Sequence, residues 1–212
     1  MTTLPAPSMA PLAIASPAGP LRVAMLGDGS TVHAVLRATA IARLGHEVRL
    51  VTVDPVLPHP DLEVKSRPRP RGVFENAGAW SSMLRDLREF KPDVLHLHYA
   101  GGALGALALA SGIAPLVVTV MGGDVQPEQL LGRANSLDSR ITRRILKQAD
   151  VILSKSVALR RHIARYGDFD SKIETVRWGI RLSDFARDRG RAEAWRAARM
   201  IPQGRLILSP RL

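Results

Sequence analysis

The stretch from Lys91 to Val125, KPDVLHLHYAGGALGALALASGIAPLVVTVMGGDV, constrains the fold of this chain more than any other. Val94-Leu95-His96-Leu97-His98 is an apolar run of strand length, and Gly101 and Gly102 break it. Ala103 to Ala110 is rich in alanine and leucine and predicts a helix, stopped by Gly112 and Pro115. Leu116-Val117-Val118-Thr119-Val120 is β-branched and predicts a second strand. It ends on Met121-Gly122-Gly123-Asp124, where small residues let backbone approach a ligand. In open parallel sheets, ligands bind outside the carboxyl ends of the strands. His98, Tyr99, Gly122, Gly123 and Asp124 therefore head the candidate site, with Gly101 and Met121 beside them.

From Tyr99 to Gly123 there is no charge, which is also how a membrane span reads. The recurring glycines, Pro115 and the differing propensities of the two halves argue instead for a buried crossover helix and a strand buried on both sides.

At 212 residues the chain suits one large α/β domain, or one domain with appendages. Aromatics make up 4%, so stacking platforms for single-stranded nucleic acid are not evident. Without cysteine there is neither disulfide nor thiolate metal site, and a reducing compartment is permitted. No metal site is expected. The net charge of +11 points to an anionic partner. The alternative is a merely arginine-rich proteome.

Residues 1–20 are rich in Pro, Ala and Ser and carry no charged side chain, and prolines interrupt the apolar run that a signal peptide needs. A disordered tail is expected there, followed by an α/β domain over 21–187. Leu21 to Leu26 predicts the first strand and Gly27-Asp28-Gly29-Ser30-Thr31 a glycine turn. A helix from Val32 closes at Gly45, and strand two runs from Val48 to Val53. The turn amides and the helix start make a small anion site of Gly27, Gly29, Ser30 and Thr31. Gly27 and Gly29 supply two glycines of a dinucleotide fingerprint, Val32 replaces the third, and Asp54 stands about where a ribose-binding acid would. A nicotinamide-binding Rossmann protein is thus one alternative reading.

Residues 55–78 form a Pro/Arg-rich crossing that includes Arg67-Pro68-Arg69-Pro70-Arg71, with a short strand near Leu62 to Val64. It reads as a surface loop or as a basic flap over an anionic substrate. Trp80 to Phe90 predicts a helix, and residues 125–135 a loop. A helix from Leu137 follows, with Arg140, Arg143, Arg144 and Lys147 on one face. Four like charges repel, so helical stability does not explain them. They are a solvated face or a surface for acidic headgroups, which would put the protein in the cytoplasm against the inner face of a membrane. Asp150 to Leu153 predicts a strand ending at Ser154-Lys155-Ser156, with a helix closing on Gly167 and a strand from Lys172 to Val176. A helix near Ala192 to Met200 and a strand from Arg205 to Ser209 end the chain, and residues 188–212 read as a linker and the first strand of a missing second domain. The basic faces leave a nucleic-acid-binding module as a further alternative, but no motif supports it and no nucleic acid is expected.

Several segments resemble the amino-terminal domain of family-4 (group 1) glycosyltransferases. They are Gly29 to Thr52 with His33 and Gly45-His46-Glu47-Val48, Lys91 to His98, Val118 to Asp124, Ala149 to Ser154, Trp178-Gly179-Ile180 with Phe185, and Leu206 to Leu212. The resemblance implies half of a GT-B fold, made of two Rossmann-like domains facing across a cleft, with this half holding the acceptor. It implies a retaining transfer from a nucleotide-sugar donor to a sugar or lipid acceptor, with no metal and no separate cofactor. Gly29 and its neighbours would approach the donor diphosphate. His98 and the Met121–Asp124 turn would flank the acceptor, with His98 and Asp124 as catalytic candidates and His33, Tyr99, Ser154 and Lys155 as substrate contacts. The chain departs from the family at Met121, where many members have His or Trp, and at Arg181. Glycosyl transfer builds negative charge on the leaving diphosphate, which cations and helix-start amides stabilise.

Overall fold

The computed structural model describes residues 19–53, 56, 62–66, 73–126, 137–176, 188–202 and 204. The chain divides into two compact units, Met1–Arg177 and Trp178–Leu212. In the first, the described elements are β1 (Arg22–Leu26), α1 (Val32–Arg43), β2 (Glu47–Thr52), β3 (Glu63–Ser66), α2 (Val73–Phe90), β4 (Val94–His98) and α3 (Gly102–Ser111). They continue as β5 (Leu116–Val120), α4 (Leu137–Gln148), β6 (Val151–Ser154), α5 (Val157–Ile163) and β7 (Ile173–Thr175). The second unit contains α6 (Arg189–Ala198), begun by the Asp188 side chain accepting the Arg191 amide.

The seven strands form one parallel sheet in the order β3-β2-β1-β4-β5-β6-β7. Strand order reverses between β1 and β4, so the carboxyl ends of those strands frame a crevice. Helices cover both faces. Val23 and Met25 of β1 and Val48 and Leu50 of β2 pack against Ala34, Val35 and Ala38 of α1. Ala24, Leu26, Leu95, Leu97, Val118 and Val120 face the other way, onto α2, α3 and α4 through Leu87, Leu107 and Ile145. Each Val, Leu, Ile or Met among them, fully buried, stabilises by ~1.5–3 kcal/mol relative to exposure. The fold is Rossmann-like and doubly wound, as the alternating strand and helix patterns require.

Two acids join strands at their amino ends. Asp93 Oδ2 accepts the Arg22 amide at 2.7 Å, and Asp150 Oδ2 accepts the Leu116 amide at 2.7 Å. The Lys172 ammonium donates to the carbonyls of Lys147 and Ala149, at 3.0 and 2.7 Å, and so caps the negative end of α4.

The charge-free run from Tyr99 to Gly123 resolves into α3 and β5, and among the described residues no helix is long and apolar enough to cross a membrane. One prediction needs correction. α2 begins at Val73 rather than Trp80, because the helix runs through Gly78, where no neighbour crowds the backbone. The tail through residue 18, Asp54, the Arg67–Arg71 run, the loop over 127–135, the segment containing Trp178 to Phe185, and the strand expected at 205–209 lie outside the described residues.

Candidate functional site

The β1–α1 turn is built by close approach. A Cβ on Gly27 would sit 3.1 Å from Ala34 Cβ and 3.3 Å from His98 Cβ, so glycine lets α1 start against the end of β4. The amides of the turn do not face the crevice as the sequence suggested. Gly29 donates to Thr52 Oγ1 at 3.0 Å, Ser30 to Asp28 Oδ1 at 2.8 Å, and Thr31 to the Asp28 carbonyl at 3.2 Å. The Ser30 and Thr31 hydroxyls also turn onto Asp28, at 2.6 and 3.0 Å. Short polar side chains next to a glycine bond the local backbone readily, and here they consume the donors that would have met an anion. Thr31, whose hydroxyl is so engaged, gives the first turn of α1 no side-chain cap.

His33 lies on that turn and is exposed, and Arg37 follows one helical turn later, half-buried. Burial lowers the Arg37 pKa from its ordinary value. Sequence reading missed Arg37. Its signal was the four-residue spacing from His33, on the helix that follows the glycine turn.

His96 and His98 point to the same face of β4, with ring centroids 6.5 Å apart. Both are buried, and His96 Nε2 is 2.8 Å from Thr119 Oγ1. Burial first, then the charges of Arg37 and His98, lower the His96 pKa to about 3. Burial, with Arg37, His33 and Lys155 against the opposing charge of Asp28, lowers that of His98 to about 4. A neutral imidazole thus sits at the carboxyl edge of the sheet within the field of Arg37 and Lys155, with Asp28 opposing them. Such a site favours an anion, and it hydrogen-bonds without carrying charge.

Tyr99 is 41% exposed and has a φ of 104°. Gly101 packs beside its ring, while Met121, Gly122 and Gly123 are half-buried at the end of β5. Asp124 is buried, and both its oxygens accept main-chain amides. Burial raises its pKa, and the amides of Ala100, Gly122 and Met121 oppose the shift. Ser154 is buried, with its hydroxyl donating to the Ser156 carbonyl at 2.9 Å, whereas Lys155 next to it is exposed. The structure therefore brings Gly27, His33, Arg37, His98 and Lys155 together.

Arg140, Arg143, Arg144 and Lys147 do not join this site. They are exposed on α4, on the side away from Ser139, Thr142, Ile145 and Leu146, which are buried. Among the described residues no ion pair ties these four side chains to an acid. Nor, among the described residues, is any group of three or more His, Cys, Asp or Glu placed to hold a metal ion.

Three solved structures illustrate the likeness of the fold. Sucrose-phosphate synthase from Thermosynechococcus elongatus superposes with a TM-score of 0.64 at 16% identity, over 86% of this chain and 53% of that one. Anabaena HepE in complex with UDP-glucose gives 0.59 at 14% identity, over 85% and 50%. A glycosyltransferase from Rickettsia africae gives 0.54 at 16% identity, over 87% and 50%. The chain thus spans about half the length of these proteins. No curated protein sequence matches it. The family model described as Glycosyltransferase Family 4 matches residues 27–184, well over half of the chain. The chain belongs to Glycosyltransferase Family 4.

Proposed function

We propose that this chain is the acceptor-side domain of a retaining glycosyltransferase, which moves a sugar from a nucleotide-sugar donor to a glycan, lipid or small-molecule acceptor without a metal ion. The observation that carries this reading is buried His98 ending β4 against the Gly27 turn, at the carboxyl edge of the sheet, within the field of Arg37 and Lys155 as well as of Asp28. The Arg37 and Lys155 cations suit a diphosphate, and the imidazole suits a hydroxyl held next to it. The HepE structures with UDP and UDP-glucose lend support by analogy of fold, since those ligands belong to that protein.

In this reading the crevice supplies one wall of the cleft, and a second domain supplies most donor contacts. The chain alone is then inactive. His98 orients the acceptor hydroxyl, Lys155 and Arg37 draw the leaving diphosphate, and Gly27 keeps α1 close enough for its uncapped first turn to help. The α4 stripe holds the enzyme on the anionic inner face of a membrane, where a lipid-linked acceptor would be met.

The test is release of nucleoside diphosphate by the full-length protein, offered UDP-, GDP- and ADP-sugars with glycan and lipid acceptors. Release from one donor class, and none from residues 1–212 alone, is expected. No release from any donor, together with a melting temperature raised by NAD, would favour a nicotinamide enzyme. Turnover by residues 1–212 equal to that of the full protein would refute the division of labour.

A further inference from the structure

α2 carries a second concave surface, away from the crevice. A groove of about 510 Å³ runs along its carboxyl-terminal half, lined among the described residues by Ser81, Leu84, Arg85, Arg88, Glu89 and Lys91. The spacing of Ser81, Leu84, Arg85 and Arg88 puts them on one side of the helix. α2 ends at Phe90, and Asp93 just beyond accepts the Arg22 amide where β1 begins. The groove therefore lies at the amino edge of the sheet. His98 is at the other edge, and the four steps of β4 from Val94 alone set it ~13 Å further on.

Three cations and one carboxylate meet in this groove without pairing. Among the described residues, no hydrogen bond or ion pair engages the side chains of Arg85, Arg88, Glu89 or Lys91. Arg85 and Glu89 stand four residues apart, the spacing at which helices form ion pairs, and form none. Two positive charges are left unmatched. The carbonyl end of α2 contributes about half a negative charge, so the groove stays positive.

Lys91 adds a second observation. It follows α2 at a φ of 49°, with its amide donating to the Arg88 carbonyl at 3.2 Å. After α1 and α3 the corresponding turns fall to Gly45 and Gly112, at 92° and 65°. Glycine accepts such a conformation freely, whereas a side chain is strained in it. Attraction to the helix end does not require the lysine, since Arg88 already stands in the last turn. What Lys91 adds, at the cost of strain, is an ammonium in the groove.

We propose that this groove binds a phosphate monoester, whose nearly two negative charges match its unpaired cations. The guanidiniums of Arg85 and Arg88 suit pairs of phosphate oxygens, and Lys91 supplies a point charge. Ser81 offers a hydroxyl, and half-buried Leu84 an apolar wall for the carbon body. The volume is that of a small-molecule site. The site does not depend on the transferase reading. The same phosphate occurs in a soluble ester and in the headgroup of phosphatidic acid.

In one arm of the experiment the full-length protein is titrated calorimetrically with glycerol 3-phosphate. In the other, an Arg143→Glu/Arg144→Glu background, which silences α4, is sedimented with phosphatidylcholine vesicles with and without phosphatidic acid. Binding in the first arm assigns a soluble ester, and binding in the second alone assigns the lipid headgroup. Arg88→Gln and Lys91→Gly should each weaken that binding ~10-fold or more, and Arg88→Lys by less. Glutamine is a good helix former at this exposed position, so Arg88→Gln should fold as wild type does. Lys91→Gly should melt at or above wild type, because it relieves the strain. Binding in neither arm, or binding undiminished by Arg88→Gln and Lys91→Gly, would overturn the site. Loss with Lys155→Gln in place of Arg88→Gln would put the ligand in the crevice and overturn it too. A Lys91→Gly protein that melts below wild type would show that the lysine serves the helix end, and would remove it from the site.

Discussion

His96 Nε2 reaches diagonally from β4 to within 2.8 Å of Thr119 Oγ1 on β5, with both side chains buried. A neutral ring can partner that hydroxyl in either tautomer, whereas a charged ring would be trapped out of water next to Arg37.

Stability should therefore depend on pH in a defined window. The folded pKa values, about 3 for His96 and about 4 for His98, lie below the ordinary value of 6.5. Between those limits the unfolded chain binds protons that the native protein does not. Stability is fully present above pH ~6.5 and is lost as pH falls, by at most ~1.4 kcal/mol per pH unit for each histidine. Urea unfolding of the full-length protein from pH 7 to 4.5 would measure the slope. His96→Gln should remove about half of it, and an unchanged slope would place the titrating groups elsewhere.

In the transferase reading, the same depression limits what His98 does in transfer. An imidazole with a pKa of about 4 is a weak base at neutral pH, so its expected contribution is orientation. In the full-length enzyme, His98→Gln should keep turnover within about tenfold of wild type, with no inflection near pH 6.5 assignable to His98. A loss of ~10²–10⁴-fold for that variant, with such an inflection abolished, would restore it as a general base.

At Gly29 the expected defect is structural. A Cβ there would meet Thr52 Cγ2 at 2.9 Å and Val56 Cγ2 at 3.3 Å. Gly29→Val should cost ~1–3 kcal/mol through overpacking. Thr52→Val should cost ~1–3 kcal/mol by leaving the buried Gly29 amide without its acceptor. Thermal melts of both would check this. A Gly29→Val protein that melts normally but no longer binds donor would show that the turn touches the diphosphate after all.

For α4, the exposed cations predict binding to vesicles containing acidic lipid, not to neutral ones, and weakening as salt rises toward a Debye length of ~8 Å. Arg143→Glu with Arg144→Glu should abolish most of the co-sedimentation. Undiminished binding would mean that the stripe is only solvated.

How much of this was legible in the sequence depended on whether the cause was local. β4, α3 and β5 were readable because β-branched and alanine-rich runs are bounded by Gly101-Gly102, Gly112 and Pro115, each acting within a few residues. The start of α2 was not, because a glycine at 78 looks like a break until its empty surroundings are known. At the site, His98 was readable as the last polar residue of an apolar strand. The work of Asp124 was not, because a carboxylate after a strand reads alike whether it faces a substrate or the Ala100 amide. Gly29 misled for the same reason. Its amide meets Thr52, which lies 23 residues away along the chain.

The acids at 93 and 150 have a consequence for how this sheet is assembled. Its inner strands are buried on both faces, so the buried-or-exposed alternation of side chains scarcely distinguishes one parallel register from its neighbours. Sliding β4 past β1 by a single residue would carry the Asp93 carboxylate ~3.3 Å from the Arg22 amide, and sliding β6 past β5 would do the same to Asp150 and Leu116. Two carboxylates thus serve as alignment marks, rejecting slipped pairings that the hydrophobic side chains alone would tolerate.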